Sequence, residues 1–251
     1  MVPKPIQILE KNLLNFQNTK KLNKEHPPIS DLVRWKDHHF LVMDKPAGMP
    51  VQNDKTGDMS LWRLGKIYSQ IKIHVATRLD RPVQGLVVFG KNPDAIKYLE
   101  ELKSKGKFEK NYIAIVEGKM TEKTLTIHSY LKHDKHLRKA IVGEKDQPDF
   151  KEAKLDLEVL HHFDNYSLLK IKLETGRFHQ IRAQLADHGF PIKGDVKYGA
   201  RRSNDDKSIY LCCNEIKFMN KAKNKEIHCF AKLPSSDNLW SLIKEILDER
   251  K

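Results

Sequence analysis

The chain has 251 residues and carries 46 Lys and Arg against 33 Asp and Glu, which gives a formal net charge of +13 and a sequence pI of about 9.5. Hydrophobic residues make up 39% of the chain, enough for a folded core, and this excludes disorder over the whole length. The positive excess is spread along the chain, which favours a polyanion such as nucleic acid as the partner over a role in solubility alone.

The beginning of the chain shows no targeting signal. Residues 1–10 contain two prolines and two charged side chains, and they lack the apolar run of a signal peptide or membrane span. We therefore expect a cytoplasmic protein without a membrane partner. Residues 1–30 are polar and end near a Pro-Pro pair, so they predict an N-terminal extension before one catalytic domain over residues 31–251.

Short apolar runs bounded by turn residues predict strands, and longer amphipathic stretches predict helices. No regular alternation of strand and helix is present, which indicates an α+β fold with a large, mostly antiparallel mixed sheet flanked by helices. The predicted strands are residues 40–43, 85–89, 112–116 and 165–173, and the predicted helices are residues 60–68, 94–103 and 238–249.

A further helix is predicted over residues 176–188, with Thr175 as its N-cap and Gly189 just beyond its end. Arg177 and His179 then fall in the first turn, at the positive end of the helix dipole, where acidic residues are usually preferred. Such a broken local rule often marks a functional site. Together with the free amide groups of a helix start, these side chains predict a phosphate pocket.

An isolated carboxylate, Asp80, stands between Arg78 and Arg81. Neighbouring cations stabilise the charged form of a carboxylic acid. An ionised carboxylate can attack an electrophile or accept a proton, so Asp80 is a candidate catalytic residue.

No metal or cofactor is expected. The three cysteines lack the paired spacing of zinc sites, and the histidines show no H-E-x-x-H pattern. Gly189 and Gly194 have the spacing of a phosphate-binding loop, but Asp195 occupies the position where that loop requires lysine. This argues against a bound nucleotide cofactor.

Four segments, in this order, resemble the signature motifs of the RluA-type pseudouridine synthases, and the similar region spans residues 32–234. They are residues 44–51, residues 78–81 with 85–88, residues 110–118, and residues 175–191 with Gly194-Asp195 and Tyr198-Gly199. The resemblance implies the pseudouridine synthase fold, in which two subdomains of one sheet flank a central catalytic cleft. It also implies isomerisation of specific uridines to pseudouridine in structured RNA.

The same resemblance implies roles for individual residues. Asp80 matches the essential aspartate, acting as nucleophile or as base, and Arg182 matches the arginine that pairs with it. Tyr112 and Ile181 match the two walls that enclose a flipped uracil, and Arg78 matches the arginine that fills the gap left by the base. Ordinary packing offers alternatives: a structural Asp–Arg pair, a strand core for Tyr112 and a helix core for Ile181. The RNA-binding rim of the cleft is predicted to comprise Lys45, Arg81, Lys110, Arg177 and His179.

Two departures from the family pattern leave an alternative open. Thr77 stands where the family usually has histidine, and Val83-Gln84 stand where it often has Thr-Ser. The alternative is a non-catalytic RNA-binding or ribosome-assembly factor with the same fold. We see no room for the N-terminal S4 module of many relatives, which suggests recognition of a compact stem-loop in ribosomal or transfer RNA. One chain suffices for the chemistry, so a monomer is expected.

Overall fold

The computed structural model describes residues 27–145, 147–220, 224–234 and 237–250. Most of the predicted N-terminal extension, residues 1–26, lies outside these ranges. The described strands are β1 Val33–Lys36, β2 Phe40–Lys45, β3 His74–Val75, β4 Gln84–Gly90, β5 Phe108–Glu117, β6 Thr124–Asp134, β7 Lys139–Gly143, β8 Lys151–His162, β9 Tyr166–Leu173, β10 Leu211–Asn220 and β11 Lys225–Phe230. The described helices are α1 Ile29–Leu32, α2 Leu61–Ser69, α3 Pro93–Ser104, α4 Gln180–Asp187 and α5 Asn238–Asp248, with a 3-10 turn at Val196–Tyr198. Among these helices, none has the length and apolar character needed to cross a membrane.

All described strands belong to one mixed sheet, in the order β1-β2-β4-β10-β5-β9-β8-β6-β7, with β11 on β10 and β3 on β4. The β4–β10 pairing is parallel and the other named pairings are antiparallel. This confirms the predicted α+β fold. Each predicted strand is present, and so are the three helices α2, α3 and α5, although β5 begins four residues before its predicted start.

Helix α2 shows how sequence and packing agree. Ser60 caps the helix, because its side chain accepts a hydrogen bond from the amide of Arg63. Leu61 and Leu64 lie on the buried face, in the core cluster that also contains Leu41 of β2. Each fully buried leucine contributes roughly 1.5–3 kcal/mol. The helix is therefore fixed on one face of the β1-β2-β4 part of the sheet.

Helix α4 begins later than the sequence predicts. It starts at Gln180, so the prediction of a start at Gly176 with Thr175 as N-cap is wrong. The Thr175 hydroxyl instead accepts a hydrogen bond from the amide of Lys154 in β8, at 2.8 Å. The Gln180 side chain accepts from the Arg177 amide at 2.9 Å and closes a turn ahead of the helix. Arg177 and His179 therefore precede the first helical turn.

The sheet has two parts, one containing β1, β2 and β4 and the other running from β10 to β7. They meet at a short junction, where Gln84 and Gly85 of β4 pair with Cys212 and Cys213 of β10. Gly85 has φ +108°, and a Cβ at this position would lie 2.3 Å from the carbonyl oxygen of Cys213. Backbone atoms cannot move away as a flexible side chain can. Only glycine therefore allows β4 to approach β10 this closely.

We predict that Gly85→Ala lowers the free energy of unfolding by about 3 kcal/mol or more, since it adds a backbone clash to an unfavourable φ. Gly106→Ala is the matched control, because Gly106 also has positive φ, +64°, but open space around its Cβ position. We expect it to cost only about 1 kcal/mol. Urea unfolding of both variants measures the difference, and equal losses would contradict the close-contact argument.

Candidate active site

The loop that carries Asp80 lies directly before β4 and is held by backbone hydrogen bonds. The amide of Val83 donates to the carbonyl of Asp80 at 3.1 Å, and the amide of Gly48 donates to the carbonyl of Arg81 at 2.8 Å. Thr77 is buried, and its hydroxyl oxygen accepts from the amide of Val88 at 2.9 Å. The threonine that departs from the family pattern thus anchors the start of this loop to β4.

Lys45, at the end of β2, is fully buried beneath the same loop. Its ammonium donates to three carbonyls, those of Pro46 at 3.0 Å, Met49 at 2.8 Å and Arg81 at 3.1 Å. Burial lowers the pKa of Lys45 to about 7, against the opposing charge of Asp80. The prediction that Lys45 lies on the RNA-facing rim is wrong, because its buried side chain binds three backbone carbonyls below the cleft.

The carboxylate of Asp80 is contacted through one of its oxygens. Arg182 Nη1 donates to Asp80 Oδ2 at 2.9 Å, and His179 Nε2 lies 3.5 Å from the same atom. Within the described residues, no hydrogen bond reaches Oδ1. The Asp80 side chain is 24% exposed, so this carboxylate is oriented from one side and open on the other.

Arg182 joins two carboxylates. Its Nε and Nη2 donate to the two oxygens of Asp195 at 2.7 and 2.9 Å, in a bidentate pair, while Nη1 serves Asp80. The Asp195 side chain is only 1% exposed and that of Arg182 is 5% exposed. Burial opposes the charge on Arg182, but the hydrogen bonds and charges of Asp195 and Asp80 raise its pKa. The guanidinium is therefore a permanent cation beside Asp80.

His179 lies at the centre of a second set of contacts. Its Nδ1 is 2.9 Å from the Tyr198 hydroxyl, and its ring stacks on Phe178 with centroids 3.8 Å apart. Burial lowers the pKa of His179 to about 4, the charge of Asp80 acts against this, and the charge of Arg182 reinforces it. The imidazole is therefore neutral at pH 7. His179 was predicted on the RNA-binding rim, whereas its side chain is largely buried beside Asp80.

Tyr112 and Ile181 lie in the same hydrophobic cluster, and each is 4% exposed. Burial raises the pKa of the Tyr112 phenol, and the negative charge of Asp80 acts in the same direction. Tyr112 is thus close enough to Asp80 to sense its charge. The Lys110 ammonium lies 5.2 Å from the centre of the Tyr112 ring, and burial lowers the pKa of Lys110.

The three predicted arginines differ in their surroundings. Arg78 is exposed, and among the described residues its guanidinium makes no hydrogen bond or ion pair. Arg81 is held by Asp54 at 3.3 Å and Asp58 at 2.8 Å, so its charge is already paired. Arg177 is exposed, and its Nε donates to the carbonyl of Glu152 at 2.8 Å.

Several site residues were not assigned roles from the sequence. Asp195 and Tyr198 both lie in the fourth motif, and this motif was the available signal for them. Partial burial first, and then the charges of Arg182, Lys139 and Arg138, lower the pKa of Lys197. These cations therefore lie near one another on the side of the site formed by the β6–β7 hairpin.

In the part of the chain that the structure describes, no group of three or more His, Cys, Asp or Glu side chains is arranged to hold a metal ion. The chemistry available to the site is that of an ionised, oriented and accessible carboxylate. A fixed cation stands behind it, and a neutral imidazole and a buried phenol lie nearby.

Comparison with known proteins gives consistent results. The family model for RNA pseudouridylate synthase matches residues 39–187. An uncharacterized RNA pseudouridine synthase of Chloroflexus aurantiacus is 36% identical over 64% of this chain and 52% of its own length. The ribosomal large subunit pseudouridine synthase D of Borreliella burgdorferi is 30% identical over 73% of this chain and 59% of its own. The chain thus spans between half and three fifths of the length of these two relatives.

The fold is also that of a solved structure. Human RNA Pseudouridylate Synthase Domain Containing 1 superposes with a TM-score of 0.70 at 21% identity, over 89% of this chain and 97% of that one. The family model covers more than half of the present chain, including Asp80, Tyr112 and Arg182. The chain belongs to the RNA pseudouridylate synthase family, in its RluA-type branch.

Proposed function

We propose that the protein isomerises specific uridines to pseudouridine in structured RNA and that Asp80 is its catalytic residue. One observation carries the assignment of Asp80: both of its side-chain contacts engage Oδ2, and Oδ1 belongs to a partly exposed carboxylate. The family membership of the chain supports the reaction.

The proposed reaction requires few catalytic groups. The bond from ribose C1′ to N1 of uracil breaks, a bond from C1′ to C5 forms, C5 loses a proton and N1 gains one. The product is an isomer of the substrate, so the reaction balances without an oxidant or a second substrate. Asp80 Oδ1 serves either as nucleophile or as base, and both roles require the ionised form that Arg182 stabilises.

The target base must leave its stack to reach Asp80, at a cost of roughly a few kcal/mol. Tyr112 and Ile181 belong to the apolar cluster near Asp80 and supply walls for a flipped uracil. Base–aromatic stacking contributes roughly 1–3 kcal/mol, which offsets part of the flipping cost. Arg78 is exposed on the loop that carries Asp80, and its planar guanidinium suits the space that the base vacates.

Basic side chains around the cleft suit a phosphate backbone. Arg78 and Arg177 are exposed, and Lys110, Lys139 and Lys197 are partly exposed. The mutual repulsion among the cations around Lys197 is relieved when an anion binds. Arg81 contributes less than its sequence position suggests, because two aspartates already pair with it.

We favour ribosomal RNA as the substrate, because the Borreliella burgdorferi relative is named as a ribosomal large subunit enzyme. Transfer RNA is the other candidate, and the compact stem-loop and the monomeric state remain parts of the proposal. A non-catalytic RNA-binding role becomes the better explanation only if no modification depends on Asp80.

The proposed activity should be visible in the RNA of cells that lack this protein. In cells lacking this protein, a pseudouridine map of ribosomal and transfer RNA should lose at least one site, and the native chain should restore it. Asp80→Asn should not restore it, because the amide keeps the shape but is neither a nucleophile nor a base of comparable strength. RNA binding by this variant should persist. A map that is unchanged at every site, or one that Asp80→Asn fully restores, contradicts the proposed function.

The two carboxylates that share Arg182 should contribute differently to stability. Asp195→Asn should lower the free energy of unfolding by about 3 kcal/mol or more. Asp195 is buried and accepts two of the three hydrogen bonds that Arg182 donates to carboxylates. Asp80→Asn should change it by no more than about 1 kcal/mol, because Asp80 is partly exposed and forms one. Denaturant unfolding of both variants provides the test. A larger loss from Asp80→Asn would favour a structural role for that residue.

A further inference from the structure

We propose that His179 is a positioning residue for Asp80, that Tyr198 fixes its tautomer, and that the two side chains couple the β6–β7 hairpin to the catalytic carboxylate. This inference rests on the proposed role of Asp80. It adds two residues that neither contribute a reacting atom nor contact substrate in the proposed mechanism.

A chain of hydrogen bonds with one direction runs from the amide of Ala140 through the Tyr198 hydroxyl to His179. The amide of Ala140 in β7 is 2.7 Å from the Tyr198 hydroxyl oxygen, and an amide N–H can only donate. The Tyr198 proton is then available for Nδ1 of His179, 2.9 Å away. In this arrangement Nδ1 accepts, so the single proton of a neutral imidazole resides on Nε2.

The proton on His179 Nε2 faces Asp80. His179 Nε2 lies 3.5 Å from Asp80 Oδ2, the oxygen that Arg182 also contacts. This separation is long for a hydrogen bond, and such contacts often tighten when a substrate binds. With both partners on Oδ2, rotation of the carboxylate is restricted and Oδ1 keeps its direction. A neutral donor achieves this without adding a second full charge next to Arg182.

His179 is itself constrained. Its φ is +51°, in the left-handed region that is unfavourable for a residue other than glycine. The ring is stacked on Phe178, whose ring in turn lies 3.9 Å from that of His133 in β6. The strain and the stacking hold the imidazole edge toward Asp80. Both His133 and Ala140 belong to the β6–β7 hairpin, so the hairpin contacts the His179–Tyr198 pair from two sides.

Lys139 adds charge to this arrangement. Its ammonium lies 5.7 Å from the centre of the Tyr198 ring, and the Arg182 guanidinium lies 5.0 Å from it. An RNA phosphate bound at the basic hairpin therefore acts on strands that contact Tyr198 directly. The geometry of Asp80 depends on how this hairpin is seated.

The kinetic test uses a transcript that carries the site found by the pseudouridine map. His179→Asn is chosen because asparagine tolerates positive φ but does not reach Asp80 as Nε2 does. We expect the single-turnover rate at saturating enzyme to fall about ten- to a hundredfold, with RNA affinity changed by no more than about twofold. His179→Gln, which keeps a donor near the Nε2 position, should recover part of the rate. His161→Asn is the matched control, since His161 also packs on an aromatic ring, that of Phe163, at 4.8 Å.

Tyr198→Phe removes the hydroxyl that orients the imidazole and should lower the same rate by a smaller factor. The double variant with His179→Asn should be no slower than His179→Asn alone, because the two residues act through one path. A rate for His179→Asn within about twofold of the native rate would overturn the proposal. Multiplying losses in the double variant would also overturn it.

A spectroscopic measurement does not require turnover. In ¹⁵N spectra of histidine-labelled protein at pH 7, the His179 signal is identified by its loss in His179→Asn. It should report a neutral ring with the proton on Nε2, and Tyr198→Phe should shift its Nδ1 resonance. A cationic ring, or a proton on Nδ1, would refute the positioning role even in an active enzyme. If the native chain modifies no RNA but this signal is as expected, the proposed function fails and the hydrogen-bonded chain remains.

Discussion

The site depends on one guanidinium that two carboxylates share. Asp195 is buried and accepts two hydrogen bonds from Arg182, so the guanidinium is held in place independently of Asp80. An N–H of Nη1 fixes one oxygen of Asp80 and leaves that carboxylate partly exposed. A catalytic carboxylate must be ionised, immobile and accessible at once. Because the structural anchoring falls on Asp195, Asp80 is paired with a cation and still partly exposed, as its proposed role requires.

This interaction also explains why the junction in the sheet matters. Asp80 lies in the loop that leads into β4, whereas Arg182 lies in α4 and Asp195 in the segment that follows α4. Asp80 and Arg182 are therefore positioned by different parts of the sheet. The two parts meet where Gly85 pairs with Cys213. The segment before Asp195 is held on β5, since Lys193 donates its amide to the carbonyl of Ile115 at 2.9 Å. The close approach of β4 to β10 therefore joins the part of the sheet next to Asp80 to the part next to its cation.

The sequence predicted the fold class, the main strands and three helices, because those features follow from local periodicity and capping. It did not predict the start of α4, because the Thr175 hydroxyl and the Gln180 side chain bond across the fold, to β8 and to the preceding turn. It placed Lys45 on the surface, because no local pattern shows that three carbonyls converge on one ammonium. The pairing of Asp80 with Arg182 came from family resemblance alone. Asp195 lies in the fourth motif and argues against a phosphate-binding loop, but the sequence assigns it no role in the site.

The two buried cations near Asp80 differ in how they respond to its charge. Arg182 stays charged under all conditions of interest, whereas the pKa of Lys45 is lowered by burial to about 7 and is supported by the negative charge of Asp80. In either proposed role, Asp80 loses that charge during the reaction, as an ester or as an acid. The pKa of Lys45 should then fall further, because the opposing influence is gone. A proton released from Lys45 would remove a positive charge from beneath the loop at the moment when Asp80 no longer balances it. The carbonyl of Arg81 accepts the hydrogen bond of Lys45, and its residue directly follows Asp80. Under the proposed role of Asp80, this hydrogen bond would link the protonation of Lys45 to the loop that carries Asp80.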